Sequence, residues 1–191
     1  SVETFCGGVS TEAQRTAAFD ATVALLQPEG SAGVQRLVTA LGEQLTSVET
    51  GPRQRALRLL YGVLMRTAEE VLPAALRGHL VTFFVSRLQD YPCAAEVMQG
   101  LLTLAPMLNR VECNQVWPAL TEECDARSLA QPERHLALSL AIVLTESEAA
   151  DTPQPPPTAV APSEAGTPTG AARWLLSGLN AFDGEKDPRN L

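Results

Sequence analysis

Three prolines at a fixed interval constrain the fold of this 191-residue chain more than any other feature. Pro52, Pro92 and Pro132 lie forty residues apart, and each opens a run with helical apolar spacing. Proline suits a first helical turn, where its fixed φ is already right and its missing N–H is not needed. Twelve residues beyond each proline stands a leucine: Leu64, Leu104 and Leu144. Leu57, Leu60 and Leu64, then Val97, Leu101 and Leu104, keep spacings of three and four, which is one apolar stripe per helix. Each run has a partner before it. Val34, Leu37, Val38, Leu41 and Leu45 follow Ser31, expected as an N-cap, and Leu76, Leu80, Phe83, Phe84 and Leu88 follow Pro73. The third partner is Val111, Val116, Trp117 and Leu120, with Pro118 expected to kink it. An opening helix over 12–26, carrying Ala18, Val23, Leu25 and Leu26, follows a Thr11-x-x-Gln14 capping box. It starts forty residues before Pro52 and so reads as the second helix of a pair.

Strand signals are poor: there is no sustained period-two alternation and no Asn-Gly turn. Helix pairs at a period of about 40 residues predict an all-α solenoid of the HEAT or armadillo kind, with about three and a half repeats. A helical bundle with accidental proline spacing is the simpler alternative, but it leaves the matched starts, partners and terminal leucines unexplained. The pattern divides the chain into repeats over 1–145, a Pro-rich insertion over 146–170 and a further, truncated repeat over 171–191. The insertion holds six of the fourteen prolines and no aromatic residue, so it is expected to be disordered. A docking site for a proline-reading domain is the other reading of it. Gly62 and Gly100 inside helical runs predict close helix–helix approach, with an interaction groove there as the other reading. Asp90 is expected to cap the helix after it, and to pair with Arg55 as one rung of an inter-repeat ladder.

Charge and chemistry narrow the function. A formal net charge of −8 disfavours nucleic-acid binding as the main activity, since neutralising phosphates needs a basic stripe. The arginines are scattered, with Arg53, Arg55 and Arg58 the densest group. No apolar run approaches the roughly 20 residues needed to span a bilayer. Cys6, Cys93, Cys113 and Cys124 form no CxxC pair and read as reduced thiols of a soluble intracellular protein. Cys113 and Cys124 near Glu122, Glu123 and Asp125 have the wrong spacing for a zinc site, and His79 and His135 lack a nucleophile beside them. No catalytic, metal-binding or cofactor-binding residue is therefore predicted, and the chain is expected not to be an enzyme. The start at Ser1 in place of Met suggests a piece of a longer chain.

LVTALGEQLTSVETGPRQRALRLLYGVLMRT (37–67), followed by LVTFFVSRLQDYPCAAEVMQGLLTL (80–104), resembles one HEAT-repeat family. The pattern is an amphipathic helix, an arginine-rich second helix, a Phe-Phe-x-x-Arg-Leu-x-Asp run and a closing Gly-Leu-x-x-Leu. It is similar to the N-terminal region of the methyl-methanesulfonate-sensitivity protein nineteen family, the large adaptor of the cytosolic iron–sulfur assembly (CIA) targeting complex. The tail Phe182–Leu191 looks like the segment that closes this region, and the likeness covers about 34–145 plus 172–191. The Pro-rich insert departs from the family's compact connection. The resemblance implies a scaffold in nucleus and cytoplasm that helps deliver iron–sulfur clusters to apoproteins of DNA replication, repair and transcription. Its implied partners are iron–sulfur carrier subunits and clients such as DNA repair helicases and polymerases, with no direct nucleic acid and no membrane. In the family, docking to the rest of the complex lies mostly in C-terminal repeats. Partners would dock along an extended concave surface, and the acidic balance would favour clients with basic faces. Two alternatives stand beside it: another HEAT scaffold of transport-receptor or phosphatase type, and a thiol-dependent enzyme built on Cys113 or Cys124.

Overall fold

A computed structural model describes residues 5–6, 11–67, 72–123 and 129–150, without the side chains of 123 and 146–150. The described residues hold seven principal α-helices and no strand. They are α1 (Glu12–Leu26), α2 (Ser31–Leu45), α3 (Thr50–Thr67), α4 (Ala74–Val85), α5 (Ala94–Leu104), α6 (Arg110–Pro118) and α7 (Gln131–Ala150). Helix α2 packs on α3, α4 on α5 and α6 on α7, while α1, α3, α5 and α7 pack side by side in chain order. The second helices thus form one layer and the first helices another, as the forty-residue period predicts, and α1 belongs to the second-helix layer.

The three periodic prolines all sit at helix starts. Pro52 is the third residue of α3, Pro132 the second of α7, and Pro92 lies in a 3₁₀ turn, Tyr91–Cys93, that leads into α5. The stripe residues fill the core: Leu57, Leu60, Leu64, Val97, Leu101, Leu104 and Leu144 are all buried. Helix α5 lies mid-layer between α3 and α7 and also touches α4, which is why seven of its eleven residues are buried. The Thr11 capping box forms in full: the Thr11 N–H donates to Gln14 Oε1 at 2.8 Å and the Gln14 N–H to Thr11 Oγ1 at 3.3 Å.

Close approach explains the two helical glycines. A Cβ on Gly62 would lie 2.6 Å from the Phe19 ring of α1, and one on Gly100 2.3 Å from the Phe84 ring of α4. Each glycine is the seat of an aromatic ring from a neighbouring helix.

Several local expectations are corrected. Ser31 is the first residue of α2 rather than its cap; the preceding Gly30 holds that place at φ 52°, a conformation that L side chains rarely adopt. Leu25 and Val111 are exposed, because each lies two residues, about 200° of helix, from a buried neighbour, Val23 and Cys113. Pro118 ends α6, which passes into a π-helical turn over Ala119–Glu123. Helix α7 runs on to Ala150, five residues into the stretch read as the insertion. The remainder of that stretch, 151–170, and the repeat over 171–191 lie outside the described residues.

The ladder exists with a different rung. Asp90 takes two hydrogen bonds from Arg53, Nε to Oδ2 at 2.8 Å and Nη2 to Oδ1 at 2.9 Å, and its side chain does not cap the following helix. Arg55 lies about 200° further round α3 and cannot reach the same side. Arg58 continues the ladder to Glu96 at 2.8 Å, and the Gln54 amide donates to the Pro92 carbonyl at 2.5 Å. In the first-helix layer, Arg77 of α4 pairs with Glu112 of α6 at 2.8 Å, both largely buried.

Candidate functional site

Helices α1 and α3 leave an open groove between them of about 550 Å³. It follows from two helical faces. On α3, Arg55, Arg58, Gly62 and Arg66 recur at spacings of three, four and four, so they share one side. On α1, Glu12, Arg15, Thr16 and Phe19 also share one side, with Glu12/Arg15 and Thr16/Phe19 three apart and Glu12/Thr16 and Arg15/Phe19 four apart. Where the faces meet, Phe19 lies over Gly62, and the bare backbone there lets the ring form part of the floor. Tyr61 and the exposed Met65 add apolar lining, and Phe5 closes one side, its ring centroid 6.2 Å from that of Phe19.

The rim is cationic. Arg55 donates from Nε to the Cys6 carbonyl at 2.8 Å and has no carboxylate partner among the described residues. Arg58 is anchored to the buried Glu96, yet its side chain is 59% exposed, so the pair positions a guanidinium that still faces solvent. The Glu96 hydrogen bond holds Arg58 above the ordinary arginine value despite partial burial. Arg66 is exposed and makes no ion pair or hydrogen bond among the described residues. Arg15 pairs with Glu12, a carboxylate that also lines the groove, at 2.9 Å. Among the described residues, four arginines and one carboxylate, Glu12, line this groove.

The sequence reading singled out Arg53, Arg55 and Arg58 for density. The structure separates them, Arg53 to the ladder, Arg55 to the groove and Arg58 to both. It missed Arg15, Phe19, Tyr61, Met65 and Arg66. The signal for Arg66 was present in the face it shares with Arg55 and Arg58, whereas nothing local tells α3 that α1 lies opposite.

The candidate chemical residues lie elsewhere and apart. Cys6, Cys93 and Cys113 are buried and far apart in the chain, and Cys124 with Asp125 lies outside the described residues. Burial raises the Cys6 thiol, with the Arg55 charge pulling the other way. His79 is exposed on α4 and His135 half-buried on α7. No three His, Cys, Asp or Glu residues gather as a metal site among the described residues. No described helix is long and apolar enough to cross a membrane.

Residues 38–191 match the sequence profile of the family described as Dos2-interacting transcription regulator of RNA-Pol-II. The chain is 30% identical over 165 residues to the Bos taurus protein named MMS19 nucleotide excision repair protein homolog, covering 85% of this chain and 14% of that protein. The Homo sapiens protein of the same name is 29% identical over the same span. That of Dictyostelium discoideum is 25% identical over 194 residues, covering all of this chain and 16% of its own. The chain thus spans about one seventh of the relatives' length. No solved structure matches it.

Proposed function

The chain belongs to the MMS19 N-terminal family, described as Dos2-interacting transcription regulators of RNA-Pol-II, and on that premise we propose that it serves DNA repair and transcription by binding proteins, not by catalysis. The finer reading is that it forms part of a scaffold of the cytosolic iron–sulfur assembly targeting complex, present in nucleus and cytoplasm. There it would help bring carrier subunits together with apoprotein clients such as DNA repair helicases and polymerases.

The observation that carries this reading is the family match over 38–191, on a fold whose helix pairs stack through buried stripes and an inter-repeat ladder. Such a stack offers a long surface on which side chains are held in fixed register. The family description itself names another protein as a partner, and the relatives are named for nucleotide excision repair, which fits a docking platform for repair proteins.

Iron loading of a client tests the proposal. In cells depleted of the full-length protein, an iron–sulfur DNA repair helicase is expected to lose cluster iron and regain it when the protein is restored. Unchanged cluster content after depletion would overturn the iron–sulfur reading, leaving the family membership as it stands.

A further inference from the structure

We propose that the groove between α1 and α3 is a docking site for a short acidic protein segment carrying an aromatic or large apolar side chain. The proposal deepens the scaffold reading and rests on it, naming a place on this chain and the chemistry of what docks there.

Charge is the first argument. The chain carries a net charge of −8, yet among the described residues the groove gathers Arg15, Arg55, Arg58 and Arg66 around one carboxylate, Glu12. Two of these arginines have no acidic partner among the described residues, and a third is fixed by Glu96 with most of its surface still in water. Guanidinium groups held this way present forked donors to a carboxylate, with part of the ordering cost already met inside the fold.

The second argument is the floor. Phe19, Tyr61 and the exposed Met65 lie between the arginines, so the site offers apolar contact at its centre and charge at its rim. An aromatic or large apolar side chain would bury itself on that floor while flanking carboxylates meet the rim. The third argument is size. A space of about 550 Å³ takes one or two side chains of a peptide, and the open groove lets the backbone run on at either end.

Nucleic acid fits less well. A phosphate backbone needs a basic track that continues, and beyond this groove the chain is predominantly acidic.

The test uses the full-length protein and a fluorescent peptide of aspartates and glutamates around one tryptophan, read by anisotropy. Binding is expected, weakening as salt is raised. Arg66→Glu is expected to weaken it about tenfold or more, since a like charge replaces an attractive one at the rim. Arg36→Glu, an exposed arginine on α2 away from the groove, should leave it unchanged. Glu12→Gln should tighten it by removing the groove's own competing carboxylate, an effect that mere structural damage does not produce. Thermal melts that match wild type confirm that each variant is folded. Absence of binding overturns the proposal, and so does binding indifferent to Arg66→Glu in a folded protein. A single-stranded oligonucleotide that binds more tightly than the peptide, with the same dependence on Arg66, would reassign the groove to nucleic acid. Peptide binding that appears only once residues 151–170 are deleted, or self-association lost in Arg66→Glu, would assign it to this chain itself. Iron loading of clients is read independently, so a failed groove and a failed adaptor reading remain distinguishable.

Discussion

Arg53 and Arg55 stand two residues apart on α3, and the helical twist sends them to partners on opposite sides. Arg53 grips Asp90, whose carboxyl is held below its ordinary value of 3.8. Burial alone would raise it, but hydrogen bonds from Arg53 and Cys93, with the charges of Arg53 and Arg87, outweigh that cost. A carboxylate with a lowered folded pKa stabilises the fold above its unfolded value, and that gain disappears as pH falls through the folded one. Asp90→Asn is therefore expected to lower stability at neutral pH, with the gap to wild type closing only below about pH 4, as urea titrations at several pH values would show. Burial, with the same carboxylate second, pushes the Cys93 thiol up to about 11, so this residue packs as a neutral side chain. Glu112 serves twice: Oε2 accepts the Asn109 N–H at 2.9 Å in a capping box, and both its oxygens accept from Arg77. Glu112→Ala strands the buried Arg77, and chemical denaturation should show a loss of about 3–5 kcal/mol. Legibility stopped at side-chain direction here. The sequence reading placed Asp90 in a ladder correctly but chose the wrong arginine, because a ladder depends on helix phase and residue spacing alone does not set it against a neighbour.

The elements were more readable, since their stripes are intrinsic to each helix. Leu101 was chosen as core from spacing and is fully buried in α5. Leu101→Ala should cost about 2–5 kcal/mol, visible as a lower denaturation midpoint at unchanged slope. Close approach at Gly62 and Gly100 was also legible, because a glycine inside a good helix pattern needs a reason. The rings that fill the two sites were not, as they come from other helices. Phe84 is fully enclosed, while Phe19 is half-exposed in the groove and can shift. Gly100→Ala should accordingly destabilise by about 1–3 kcal/mol, and Gly62→Ala by less. Trimming the ring in a Gly100→Ala/Phe84→Leu double variant should recover part of the loss, which a simple helix-propensity effect would not predict. Helix ends were read least well. Gly30 rather than Ser31 turns the chain into α2, and Leu25 and Val111 face outward despite their apolar character. Two residues of phase decide burial, and apolar composition does not report phase.

At the scale of the molecule, the forty-residue period carried the most information. It predicted paired helices, two layers and a ladder between repeats, because each pair must repeat the contacts of the last to cover its apolar face. The groove was invisible at that level. It depends on one face of α1 meeting one face of α3, and on a glycine that lets them close over an aromatic ring. Repetition builds the platform, and departures from repetition give it a place to bind: forty residues on from Arg55, Arg58, Gly62 and Arg66 stand Ala95, Met98, Leu102 and Pro106, so the arginine stripe of α3 has no charged counterpart in the next repeat. The family is described as transcription regulators and the relatives are named for nucleotide excision repair, and the central proposal is that the platform acts in that setting as an adaptor. The most direct measurement is affinity purification of the full-length protein from cells, with its partners identified by mass spectrometry. The account predicts that iron–sulfur carrier subunits and iron–sulfur helicases or polymerases are recovered together, and still recovered after alkylation of the protein's accessible thiols. Recovery of transport cargo or phosphatase subunits in their place, with no carrier present, would contradict it.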